Sequence, residues 1–123
     1  MFKTEIEGKF DGENLIADDG SCYRVPANYA SKSRLVEGDA LVLKIDENGS
    51  FVFKQINPMP RKMLIADVYE DERKTYVVAN ETEYKVLEAS VSFFKLKQGD
   101  QVTIALPIHG IAKWAAIENV INK

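Results

Sequence analysis

The chain has one cysteine in 123 residues, Cys22, so no disulfide can form within it, and a reducing cytoplasm is the expected location. It has one histidine, His109, and therefore no Cys/His cluster with metal-ligand spacing. The seven glycines are scattered among turn-forming residues, with no glycine-rich phosphate loop. No apolar run approaches the roughly 18 residues a membrane span needs. Met1, Phe2, Lys3, Thr4 and Glu5 do not open a signal peptide. Basic residues are outnumbered, 16 against 19, for a net charge of −3. That balance disfavours general attachment to nucleic acid, which needs a basic domain or at least a local basic patch. No block of like charge forms a tail: Asp67 and Glu70 to Glu72 are closed by Arg73 and Lys74, which reads as a solvated hairpin tip.

What remains is average globular chemistry, 46% apolar and 28% charged, at the length of one domain. The informative feature is internal. Shifted by 61 residues, Tyr23-Arg24-Val25 falls on Tyr84-Lys85-Val86, Ser31 on Ser92, Leu35 on Leu96, and Gly38-Asp39 on Gly99-Asp100. In the same ungapped frame Gly49 meets Gly110, Ile56 meets Ile117, Ile16 meets Val77, Arg34 meets Lys95 and Phe53 meets Trp114. The chain reads as a duplication. Repeat 1 covers about 1–57, a linker with two prolines covers 57–62, and repeat 2 covers about 63–123. Halves of about 60 residues would be marginal alone, so one shared core is expected.

Within each half, Leu41, Leu43 and Ile45 alternate with Ala40, Val42 and Lys44, and Val102, Ile104 and Leu106 repeat the two-residue period of a strand. Asp46 to Ser50 and Pro107 to Gly110 supply turns into return strands at Phe51–Ile56 and Lys113–Ile117, with a continuation to Ile121 left open for the second. Earlier hairpins flank Asp18-Asp19-Gly20 and Ala79-Asn80-Glu81, and first strands run about Lys3–Phe10 and Met63–Tyr69. Short helices are expected over Ala27–Ser33 and Glu88–Phe94, too short to be stable without packing on the sheet. Each is followed by a loop ending in Gly-Asp. Gly38 and Gly99 permit a left-handed backbone there, and Asp39 and Asp100 can accept from nearby N–H groups, so these four are read as structural turns.

The order strand-strand-helix-Gly-Asp-strand-strand, with Val25-Pro26-Ala27 opening the helix and Leu35, Gly38 and Asp39 closing the unit, resembles the cradle-loop barrels. That group includes AbrB-like swapped-hairpin domains and double-psi β-barrels. The resemblance covers nearly the whole chain and implies a mainly β fold: a single pseudo-twofold barrel of two β-β-α-β-β repeats with two short helices, closed by one chain. AbrB-like DNA binders carry a basic residue after the proline and an arginine in the helix. Ala27 and Ala30 stand there, Glu88 and Val91 in the second copy, and Leu87 replaces the proline, so DNA binding does not carry over.

No catalytic residue, metal site or cofactor site is expected. His109 reads as a turn residue opposite Asn48, and Cys22 with one distant histidine is a weak nucleophile signature. Two surfaces compete. Phe93, Phe94 and Lys95 stand where the first copy has Lys32, Ser33 and Arg34. Burial of Phe93 is the favoured reading, and exposure would make it a partner anchor. Arg24, Arg34, Lys85 and Lys95 are repeat mates in pairs, which a pseudo-twofold could present as a matched basic face. The bland reading places such residues at helix ends for solubility and dipole reasons. Trp114 reads as core or groove lining. The leading expectation is a small non-enzymatic binding module, monomer or weak dimer, that engages a protein or ribonucleoprotein partner through Phe93, Phe94 and Lys95. The alternative is a transcription- or ribosome-associated nucleic-acid binder using the four cations.

Overall fold

The computed structural model describes residues 2–72, 74–109 and 111–122. Arg73 and Gly110, which the sequence places in turns, lie outside the described residues. The alternating stretches form two five-stranded antiparallel sheets, one from each half. The first contains β1 (Phe2–Phe10), β2 (Asn14–Ala17), β3 (Cys22–Arg24), β4 (Ala40–Asp46) and β5 (Phe51–Asn57), in the order β3-β2-β1-β4-β5. The second contains β6 (Arg61–Asp71), β7 (Lys74–Ala79), β8 (Thr82–Lys85), β9 (Gln101–Pro107) and β10 (Ala116–Asn122), in the order β10-β9-β6-β7-β8. Helix α1 (Ala27–Lys32) joins β3 to β4, and α2 (Glu88–Phe94) joins β8 to β9. Turn chemistry is as the residues dictate. Asp46 accepts from the Asn48 and Ser50 N–H groups at 2.8 and 2.9 Å, and Asp11 accepts from Glu13 and Asn14 at 2.9 and 2.7 Å.

Among the described residues no strand of one half pairs with a strand of the other. The shared core expected from the repeat is replaced by two cores. Phe10, Leu15, Leu41, Leu43 and Phe53 pack with Ala30 and Leu35 in the first half, and Val68, Val77, Val102, Ile104 and Ile117 pack with Val86 and Leu96 in the second. The physical reason is locality. Each β4–β5 or β9–β10 hairpin finds the free edge of its own half's first strand, and the three residues Pro58 to Pro60 between the sheets leave little chain for an exchange. Leu87, standing in place of the proline, packs against the first core from the second half.

The ungapped frame holds through the helices and through β4 and β9, and fails on either side. Gly38 N–H donates to Phe10 O at 2.8 Å and Gly99 N–H donates to Val68 O at 3.0 Å, so Val68 stands in the place of Phe10. Phe53 pairs with Leu43, whereas Ile117 pairs with Ile104, so the structural mate of Phe53 is Ile117 and not Trp114. The second half has a longer first hairpin and a longer loop before its last strand. Hairpin tips take such insertions at little entropic cost. Residues 111–115 cross to the far edge of the sheet, where Lys85 N–H donates to Lys113 O at 2.8 Å and Ala115 N–H donates to Lys85 O at 2.9 Å. This is a parallel bridge between β8 and Trp114.

Candidate binding groove

The two Gly-Asp loops have parted in role. Asp100 accepts from Lys97 N–H at 3.0 Å, which closes its own loop. Asp39 makes the same bond to Val36 N–H at 2.8 Å and is 0% exposed. It also accepts from Gln55 Nε2 at 2.8 Å, Met59 N–H at 2.6 Å and Arg61 Nη2 at 2.6 Å. Arg61, the first residue of β6, spends its remaining nitrogens on Met59 O (3.1 Å) and Arg34 O (3.0 Å). A planar guanidinium with donors on three nitrogens suits such a junction where an ammonium would not. The linker is therefore pinned to the first half through Met59 and through Arg61, the residue that follows it.

Further contacts fix one half on the other. Helices α1 and α2 pack together, and Ser90 Oγ donates to Ser31 Oγ at 3.0 Å. The Trp114 ring lies on Gly12, whose φ is +114°, and a Cβ built at Gly12 would fall inside the indole. Glu37 receives the Lys113 and Trp114 N–H groups at 3.2 Å. Burial raises the Glu37 carboxyl above its ordinary value, against the opposite pull of those two N–H groups.

Where the halves meet, a groove of about 270 Å³ opens between β7, β8 and the start of α1. Its apolar lining is Ala27, Val86, Leu87 and Trp114, with Tyr76 alongside. Its charges are of both signs. Arg24 lies 3.7 Å from Glu13, and Lys74 lies 3.7 Å from Glu83. Lys85 stands over the Trp114 ring at 5.7 Å and Lys74 over the Tyr76 ring at 5.3 Å. Tyr76 in turn stacks on Tyr69 across the hairpin, centroids 5.7 Å apart. Glu88, on the first turn of α2, completes the rim with a third carboxylate against three cations.

The basic quartet expected from the repeat is thus not one face. Arg24 and Lys85 line this groove, while Arg34 lines a separate hollow of about 180 Å³ with Ser31, Lys32, Phe93 and Phe94. Lys95 caps α2 beside it. Phe93 is 67% exposed, which corrects the favoured expectation of burial. Its neighbour Phe94 turns inward and packs against the second core, with the two rings edge to face at 4.9 Å. The two side chains stand about 100° apart around α2, and the sheet covers the side that carries Val91 and Phe94. His109 is exposed in its turn, and Cys22 is an exposed free thiol. Among the described residues no group of His, Cys, Asp and Glu is arranged to hold a metal ion, and no helix is long and apolar enough to cross a membrane.

Lys74 and Tyr76 did not stand out in the sequence, because they lie on the lengthened hairpin that the ungapped frame misaligns. A frame allowing insertions at hairpin tips would have separated them from the repeat. Comparison with protein-family models finds no match, and neither does comparison with curated proteins.

Proposed function

We propose that the protein is a non-enzymatic binding module that takes a segment of a protein partner in the groove between its halves. The observation that carries this reading is the balance of charge around an apolar floor, with Arg24, Lys74 and Lys85 against Glu13, Glu83 and Glu88. A polyanion would meet three carboxylates there, whereas a polypeptide carries both signs and apolar side chains. Tyr76 and Trp114 are the aromatic anchors, rigid and half-buried. We read the second half as a five-stranded Greek-key barrel of the OB type, closed where β8 meets the segment before β10. Such barrels bind along their second and third strands and the loop before the fifth. Those elements here are β7, β8 and the Trp114 segment. The fold suggests the face, and the charges decide what it takes.

The test is capture of partners by the tagged protein from a native lysate, with and without nuclease, alongside an Arg24→Glu/Tyr76→Ser variant. Both side chains reach solvent, so the variant should melt within a few degrees of the parent. A partner that survives nuclease and is lost with the variant supports the reading. A partner released by nuclease, or held equally by the variant, overturns it.

A further inference from the structure

The hollow at the ends of the two helices has the opposite character. Lys32 and Arg34 from the end of α1 meet Phe93 and Phe94 of α2 there, and no carboxylate lines it. Lys95 follows directly. Arg34 uses its Nε on Glu118, as an ion pair at 3.4 Å and a bond to the Glu118 carbonyl at 3.3 Å. Lys32 and Lys95 have no ion-pair partner among the described residues. A chain with a net charge of −3 therefore places two lysines outside any ion pair, and an arginine held by Glu118, beside one protruding aromatic ring.

Two of those cations sit where the backbone disfavours them. Arg34 has φ 50° and Lys95 has φ 53°, the left-handed region in which a helix usually ends on glycine. The repeat thus holds a basic side chain, not a glycine, at the same strained position in both halves. The dipole of a short helix accounts for a cation near its end. It does not account for Phe93, a ring two-thirds in solvent that shares the hollow with Lys32 and Arg34.

We infer that this helix-end hollow binds single-stranded nucleic acid, with Phe93 stacking on a base and Lys32, Arg34 and Lys95 meeting the phosphates. Stacking needs an unpaired base with an open face, which a duplex does not offer in its interior. The site is separate from the groove and does not depend on that reading. Together they would let one small domain grip the protein and the nucleic acid of a ribonucleoprotein.

The probe is a fluorescein-labelled dodecamer of deoxythymidine, followed by anisotropy between 50 and 200 mM salt. Three phosphate contacts predict a slope of about −2 in log affinity against log salt, so binding should weaken about twentyfold across that range. Phe93→Ser should weaken it about tenfold or more through lost stacking. Lys95→Gly is the decisive variant. It relieves the left-handed strain, so the melting temperature should hold or rise while affinity falls and the salt slope drops by about 0.7. The groove variant Arg24→Glu/Tyr76→Ser should bind the oligonucleotide as the parent does. Affinity indifferent to salt, or unchanged in Lys95→Gly and Phe93→Ser, overturns the assignment. So does equal displacement by poly-glutamate, which would mark a surface for any polyanion.

Discussion

Asp39 and Asp100 are the same residue in the same loop of a duplicated chain, and the structure predicts very different consequences of losing them. Asp39→Ala removes the acceptor for four donors. Two are backbone N–H groups, of Val36 and Met59, and the other two are the Gln55 amide and the Arg61 guanidinium. Each donor stranded in a buried place costs about 1–3 kcal/mol. Removing one member of a buried ion pair costs about 3–5 kcal/mol in other proteins. The Arg61 side chain is 20% exposed and recovers some hydration, which places the total near 4 kcal/mol rather than at the sum. Asp100→Ala loses one part-buried bond, to the Lys97 N–H, about 1 kcal/mol. Urea unfolding followed by circular dichroism measures both. A domain of this size has about 5–15 kcal/mol in all, so Asp39→Ala should keep between about one fifth and three quarters of the parent's midpoint. Arg61→Met is the companion, because the coupling between positions 39 and 61 should be at least about 2 kcal/mol in a double-mutant cycle. Equal losses from Asp39→Ala and Asp100→Ala, within about 1 kcal/mol, would refute the idea that the first loop pins the linker.

Gly12→Ala should cost about 2–4 kcal/mol, since the new Cβ must displace the Trp114 ring and the backbone is left-handed there. Trp114 is the one tryptophan, so its emission should shift to the red in the folded variant. For Glu37 the sign follows from the raised carboxyl. The folded state holds this proton more tightly than the unfolded chain does. Its contribution to stability is present at pH values below the ordinary glutamate range and declines as pH rises from there through the raised value. Glu37→Gln keeps an acceptor for the Lys113 and Trp114 N–H groups, so it should flatten that part of the stability-versus-pH curve. An unchanged profile from pH 4 to 7 would show that the carboxyl is not desolvated by the contact between the halves.

The sequence by itself determined the elements, except that the last strand, expected from Lys113, begins at Ala116 because residues 113–115 bond to β8. Period-two alternation located the strands at Leu41 to Ile45 and Val102 to Leu106, and Asp-rich turns bounded them, because those preferences act over a few residues. It determined the duplication as well, since Tyr23-Arg24 and Tyr84-Lys85 end equivalent strands. Only the tertiary structure decided how the halves relate. Two sheets with separate cores and a single interleaved barrel bury the same alternating residues, so hydrophobic pattern cannot separate them. Nor could it register the insertions that carry Lys74, Tyr76 and Trp114 into the groove, because a hairpin tip leaves no periodic signal. Phe93 and Phe94 looked alike in the sequence, and one ring faces solvent while the other packs on the core. What parts them is the side of α2 that the sheet covers. That is a property of the assembled fold and is absent from the residues taken one at a time.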